Sequence, residues 1–319
     1  MGHGREGRGD LFQSGDGVLL LASKATVGTV TIIGFLHPGK MGASLANCAG
    51  GAAERLWVSV GRSPATASRA AAAHLVDAGD VAALCRHSDV IVSICPPSAA
   101  ETVAAEVAAT GFGGVYLDAN AVSPTTAARV GARFGERYVD GGVIGPPAER
   151  PGTTRLYLAG PQAAGLAPLW AGSALDVRTL ADTAESAPAS TLKMAYAAWT
   201  KGTNALLLTV NALASQAGAL NALREEWELS QPGLRERSDR VAAGSGPKAW
   251  RFEGEMAEIA ATMAAAGLPD GFHRGAEDLY RRLACFKDHP GPGLAEILAV
   301  LAARRFEPAP GPEVSDGAG

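Results

Sequence analysis

A mainly parallel α/β sheet domain followed by an all-α domain is the fold class that this sequence predicts, and three observations predict it. Short β-branched and apolar runs alternate with helix-patterned segments from residue 28 to residue 187, the signature of a sheet covered by helices on both faces. A glycine-rich turn joins the first of these strands to the first helix. Past Ser186 the strand signals stop, and a long Ala- and Leu-rich run takes over.

In chain order, residues 1–27 are rich in Gly and charge with little periodicity, which predicts a flexible leader. Residues 29–33 are β-branched and end at Gly34, residues 40–51 are helical in pattern, and residues 56–60 form a second strand that stops at Gly61-Arg62-Ser63-Pro64. Further strands are expected at residues 90–95, 115–117, 138–144, 156–159 and 177–180, with helical segments between most of them. The second domain, residues 188–306, opens with one long helix or a broken pair over residues 188–230. Pro188 suits its first turn, and Gly202 and Gly218 are weak points or sites of close helix packing. Helices also fit residues 249–266, halted by Gly267-Leu268-Pro269, and residues 275–285. Residues 307–319 read as a Pro/Gly/acidic tail, and no repeat of 20 to 50 residues is present.

The 319 residues are 47% hydrophobic, enough for two moderate domains with real cores. A net charge of -4 and scattered Lys and Arg exclude a nucleic-acid footprint, which needs clustered cations. The four cysteines lack Cys-x-x-Cys spacing, and three lie in apolar runs, which predicts reduced thiols in a cytoplasmic protein. The apolar stretch at residues 18–22 is too short for a signal sequence or a membrane span.

The turn reads Ile33-Gly34-Phe35-Leu36-His37-Pro38-Gly39-Lys40-Met41-Gly42, in the strand-to-helix context that a dinucleotide fingerprint requires. This predicts a Rossmann-type domain whose backbone holds a pyrophosphate at a helix N-terminus, with Gly34, Phe35, Leu36, His37, Pro38, Gly39, Lys40 and Met41 as cofactor contacts. Counted from Gly34, the spacing between the first two glycines is three residues longer than in Gly-x-Gly-x-x-Gly. A phosphate loop is the competing reading, because Gly34 to Lys40 matches Gly-x-x-x-x-Gly-Lys, but Met41 stands where that motif needs a magnesium-binding hydroxyl. After the second strand, Gly61-Arg62-Ser63 offers a cation and a hydroxyl and no carboxylate. That favours NADP over NAD, a solvated turn arginine being the alternative.

Taken together these segments resemble the β-hydroxyacid dehydrogenase superfamily, which includes 3-hydroxyisobutyrate and 6-phosphogluconate dehydrogenases, over roughly residues 28–290. Gly61-Arg62-Ser63 stands at the place of its Asn-Arg-Ser/Thr, and Cys95-Pro96-Pro97 resembles the Leu-Pro turn that borders the cofactor. The segment from Asp118 through Asn120 and Ser123 to Pro124 is similar to Asp-x-Ser-Thr-x-x-Pro, and Asp140 to Pro146 to the substrate loop Asp-Ala-Pro-Val-Ser-Gly-Gly. Lys193-Met194 matches the catalytic lysine segment. The resemblance implies Lys193 as general acid/base, with Asn120, Ser123, Gly145 and Pro146 as substrate contacts, Asn120 bordering the cofactor too, and an intertwined homodimer. Segments 250–256 and 271–274 are similar to a less characterised variant of the family's helical domain. Two positions depart from the family: Ala197 replaces the asparagine four residues after the lysine, and Ile144 replaces the loop serine.

On a helix, Tyr196, Thr200 and Asn204 share a face with Lys193 and could add substrate hydrogen bonds. Acid/base work near neutrality needs that lysine lowered from about 10.4 toward about 7 to 8, and Lys201 on a neighbouring face is a possible contributor. A structural, snorkelling lysine is the bland alternative. His37 and His273 stand alone, so no metal is expected. Glu253 and Glu255 read as a solvated helix face, with Glu255 able to enter a neighbouring subunit's cleft. The expected function is an NADP-linked oxidoreductase moving hydride to or from a small polar hydroxyacid-type substrate. An imine reductase and a non-catalytic dinucleotide-binding protein are the alternatives.

Overall fold

Residues 31–303 are described by the computed structural model; the expected leader at 1–27 and tail at 307–319 lie outside them. Strands β1 (Ile32–Phe35), β2 (Glu54–Trp57), β3 (Val76–Asp77), β4 (Val90–Ser93), β5 (Val115–Asp118), β6 (Tyr138–Ile144), β7 (Thr154–Ala159) and β8 (Leu175–Ala181) form one sheet in the order β3-β2-β1-β4-β5-β6-β7-β8. The first six strands run parallel, β7 is antiparallel to β6, and β8 is parallel to β7. The strand order reverses between β1 and β4, and in open α/β sheets that switch point, at the strands' carboxyl ends, is where ligands bind.

Helices α1 (Lys40–Cys48), α2 (Pro64–Ala72), α3 (Val81–His87), α4 (Ala100–Ala109), α5 (Pro124–Gly131) and α6 (Ala163–Leu166) cover the sheet. One face buries Ile33, Phe35, Trp57, Val92, Leu117 and Trp170, and the other buries Leu84, Ile91, Tyr116, Phe134 and Tyr138. Both faces are apolar, which is why these strands read as continuous rather than alternating runs.

Six helices follow: α7 (Pro188–Gln216), α8 (Leu220–Ser230), α9 (Leu234–Ser245), α10 (Ala249–Ala265), α11 (Gly271–Arg282) and α12 (Leu294–Ala303). The 29 residues of α7 span about 44 Å at 1.5 Å per residue. The two glycines expected as weak points behave differently. Gly218 adopts φ +71° and ends the long helix, a conformation that suits glycine. Gly202 stays helical and buried, and a Cβ there would lie 3.1 Å from the Phe272 ring, so it lets α11 approach. Met194, Leu208, Trp227, Phe252, Met256, Ile259, Tyr280 and Ile297 build the core of this region. Short β3, charged α9 and apolar α12 are elements that the periodicity reading did not assign. Among the described residues no helix is long and apolar enough to cross a membrane.

Candidate active site

Strand β1 runs on through Gly34 and Phe35 instead of ending at Gly34. A Cβ on Gly34 would fall 2.6 Å from Ser88 Oγ and 2.8 Å from Leu84, so this glycine serves the packing of α3 on the sheet. Phe35 and Leu36 are buried in the two sheet cores. Side-chain space at Gly34, Phe35 and Leu36 is consumed by packing, which leaves backbone groups for the cofactor contact expected there.

The turn proper is residues 36–39, and Gly39 is the N-cap of α1. Counting back from Gly42, the fingerprint falls on His37-Pro38-Gly39-Lys40-Met41-Gly42, with histidine in the first glycine position and no extra residues. A Cβ on Gly42 would lie 2.5 Å from the His37 carbonyl oxygen, which is the close packing that the third glycine permits. A Cβ on Gly39 would meet nothing within 4 Å, so the backbone is open there. No side chain caps α1 and no acid occupies its first turn, leaving its N–H groups and positive dipole end for an anion.

Two polar atoms beside this turn are buried without a partner: His37 Nδ1 and Arg62 Nε. Burial first, and then the Arg62 charge, lower the His37 pKa to about 4, so the imidazole is neutral. Arg69 Nε donates to the Pro38 carbonyl at 3.2 Å, tying α2 to the turn. Ser63 caps α2 by accepting from Thr66 N at 3.3 Å while remaining exposed after Gly61, whose φ is +74°. An open anion-binding helix end, a cation and two orphaned polar atoms fit a phosphorylated dinucleotide.

At the ends of β4 and β5, Asn120 is a latch. Its Oδ1 accepts from Cys95 N at 2.6 Å, its Nδ2 donates to Ser93 Oγ at 3.1 Å, and its own N–H donates to Asp118 Oδ1 at 3.0 Å. Cys95-Pro96-Pro97 is thereby fixed at the carboxyl end of β4, and burial pushes the Cys95 thiol up to about 12, so no thiolate forms. Asp118 is raised to about 7, chiefly by burial. Ser123 is the N-cap of α5, accepting from Thr126 N at 3.3 Å, and its backbone N–H donates to Glu258 Oε2 of α10 at 2.6 Å. Asn120 and Ser123, where substrate contacts were expected, are both buried, and the Asn120 side-chain carbonyl and the Ser123 hydroxyl are engaged within the fold.

Lys193 is held from both sides. Helix α7 begins at Ala187, which sits in the left-handed region at φ 44° and has no side-chain cap of its own. Asp140 of β6 supplies one: Oδ2 accepts from Ala189 N at 2.7 Å and Ser190 N at 3.0 Å, and Oδ1 from Ser190 Oγ at 2.5 Å. This pins the first turn of α7 to β6, inside the sheet. One turn on, Lys193 Nζ donates to the Val143 carbonyl at 2.7 Å. Burial, then Arg251, lowers the Lys193 ammonium to about 8.

The rest of the expected face diverges. Tyr196 is 49% exposed, and the Thr200 hydroxyl donates back to the Tyr196 carbonyl at 3.0 Å, a common way for a helical threonine to satisfy itself. Asn204 is half-buried two turns further from Lys193 than Tyr196, and Gly145 and Pro146 are exposed at the end of β6. The solvated-face reading of Glu255 is a correction: it is buried in an ion pair with Lys201 of α7, while Glu253 pairs with Arg281 at 3.2 Å. The reason is the close packing of α10 on α7, which places the Lys201 ammonium 4.9 Å from the Phe252 ring centroid. Burial and the cations Lys193, Arg251 and Lys248 press the Lys201 ammonium downward. No cluster of His, Cys, Asp and Glu suited to a metal exists among the described residues.

The family described as "NADP oxidoreductase coenzyme F420-dependent" matches residues 30–121, and a domain of unknown function, DUF1932, matches residues 214–283. No curated protein matches the chain by sequence. Among solved structures, a conserved hypothetical protein from Sinorhizobium meliloti 1021 is 25% identical, with 86% of this chain and 97% of that chain covered and a TM-score of 0.63. Mycobacterium tuberculosis 3-hydroxyisobutyrate dehydrogenase, solved with L-serine, is 18% identical, with coverage of 86% and 99% and a TM-score of 0.61. Psf3, solved with NADP+ and 2-OPP, is 19% identical, with coverage of 84% and 99% and a TM-score of 0.54. The chain shares its fold with these structures, 3-hydroxyisobutyrate dehydrogenase among them. Within this fold, sequence reasoning missed Glu258 and Arg69 as ties between elements and missed the capping role of Asp140. Asp140 had a local signal, a lone acid inside a strand of seven residues, but its partner helix lies 49 residues on.

Proposed function

We propose that this protein is an NADP-dependent oxidoreductase acting on a small hydroxyacid-type substrate, with Lys193 moving the proton. The observation that carries the reading is the placement of Lys193. It is a part-buried lysine with no carboxylate paired to it among the described residues, lowered to about 8 and fixed on the Val143 carbonyl by a capped helix. A nicotinamide supplies or takes the hydride when bound. The N-terminus of α1 and Gly39 receive the pyrophosphate, Arg62 and Ser63 the 2′-phosphate, and Lys193 gives a proton to, or takes one from, the oxygen on the reacting carbon. Ionised, the lysine is an acid for carbonyl reduction; neutral, it is a base for alcohol oxidation. The exposed loop at Gly145 and Pro146 offers backbone groups to substrate, with Tyr196 and Asn204 further along α7.

A second copy of the chain completes the reading. Tyr196, Trp199, Leu206 and Leu213 are exposed along α7 at steps of three, seven and seven residues, a spacing that suits helix packing between subunits. Cys48, Cys85, Cys95 and Cys285 are free thiols, which fits a cytoplasmic enzyme.

The test is a fluorescence titration with NADPH and NADH followed by a turnover screen of small hydroxyacids and their oxo forms. Tighter NADPH binding and turnover of one such pair are expected. Absence of binding by either nucleotide overturns the oxidoreductase reading, and binding without turnover of any carbonyl or hydroxyl compound makes it a dinucleotide-binding protein.

A further inference from the structure

The glycine-rich turn departs from its fingerprint at one residue, and that residue is the titratable one. His37 stands where glycine usually allows the chain to turn, and its imidazole is packed at the turn with Nδ1 buried and unpartnered. Arg62, whose charge acts on His37, has Nε in the same condition. Unpartnered buried polar atoms cost roughly 1 to 3 kcal/mol each, so a fold that keeps two of them side by side has a use for them. The surroundings are cationic: Arg62 comes from the loop after β2, Arg69 of α2 lies on the Pro38 carbonyl, and Lys40 opens α1 exposed to solvent. The Cys95 thiol at the end of β4 is protonated and adds no charge. Neither His37 nor Arg62 forms an ion pair among the described residues, and an anion is the partner that this cationic setting suits.

We infer that His37 is a specificity-determining ligand of the cofactor's 2′-phosphate, binding it together with Arg62 and taking up a proton as it docks. The inference rests on the NADP reading and adds a proton to it. With the site free, burial and Arg62 keep the ring neutral. A phosphate dianion against the ring reverses the balance, and a protonated ring donates from both nitrogens. Because the free imidazole titrates near 4 and the phosphate-bound one higher, phosphate binding consumes a proton between those two values, and affinity rises as pH falls through that window. The pyrophosphate is common to both nicotinamide dinucleotides, so NADH reports on it alone.

The experiment is calorimetric titration of the full chain with NADPH and with NADH near neutral pH, in buffers of different ionisation enthalpy, on wild type, His37→Gln and His37→Gly. Net proton uptake with NADPH and none with NADH is expected in the wild type. His37→Gln removes that uptake and weakens NADPH by about 10- to 150-fold, the equivalent of one hydrogen bond to a charged group, with NADH unchanged. Any titration of the phosphate itself survives in both variants and is subtracted. His37→Gly restores the fingerprint residue, and its NADH binding checks that the turn still folds. Uptake that is equal with NADH, or that persists in His37→Gln, overturns the inference while leaving NADP binding intact. Failure of NADPH to bind at all overturns the NADP reading, and this one with it.

Discussion

The two halves of the candidate site treat their polar groups in opposite ways. Around the glycine-rich turn the fold leaves polar atoms wanting: His37 Nδ1 and Arg62 Nε have no partner, Gly39 is open and α1 has no cap. Around Lys193 the nearby groups are engaged: Asp140 holds the start of α7 with three hydrogen bonds, the Val143 carbonyl holds Nζ, and Lys201 is paired with Glu255. A region that must accept a large anion is built incomplete. A region proposed to present one proton at a fixed place is built complete. Substitutions should therefore read out differently, as binding in the first region and as rate or stability in the second.

The largest expected effect is on rate. Lys193→Met keeps the apolar stem and removes the ammonium, so turnover should fall by about 10²- to 10⁴-fold, the usual contribution of a positioned acid/base group. NADPH affinity, measured by fluorescence, should not change; a parallel loss of affinity would merge the two regions and break the comparison. Next is stability. Asp140→Ala strips the donors of Ala189 and Ser190 of their acceptor and should cost about 2 to 5 kcal/mol in chemical denaturation, since each buried donor left unmade costs about 1 to 3 kcal/mol. Arg62→Ala, by contrast, should leave the denaturation midpoint where it is. Its effect should be confined to nucleotide binding: about 1.5 to 3 kcal/mol lost with NADPH and nearly none with NADH. Equal losses for both nucleotides would remove Arg62 from the 2′-phosphate. The smallest effect belongs to Ser63, which caps α2 and is still exposed to ligand. Ser63→Ala should cost about 1 kcal/mol of stability through the cap, together with a minor loss of NADPH affinity.

The fold was legible where hydrophobic runs alternate with helical periodicity, and the switch to helices after Ser186 was legible because strand-forming residues stop there. The site was legible less evenly, for reasons that differ by residue. Lys193 stands out because a lysine in an Ala-rich apolar helix needs an explanation. The glycine-rich turn was located, but its register was read from Gly34, a glycine that serves helix packing inside β1; counting back from Gly42 would have exposed His37 as the substituted position. Asn120 and Ser123 look like ligands in sequence because short polar side chains after a strand suit both binding and capping, and only their partners decide between the two. Glu255 looked solvated because its partner Lys201 is 54 residues away and the packing of α10 on α7 leaves no periodic trace of that pairing.

The central claim is that Lys193 carries the proton, and the pH dependence of the hydride-transfer step tests it most directly. With Lys193 lowered to about 8, single-turnover oxidation of the hydroxyl substrate should rise with pH and level off above about 8, as the lysine becomes the neutral base. Reduction of the carbonyl partner should run the other way, falling as pH climbs through the same value. In Lys193→Met the titration near 8 should vanish from both directions while NADPH still binds. A profile that keeps the same midpoint in the Met variant, at near wild-type rate, would contradict the account.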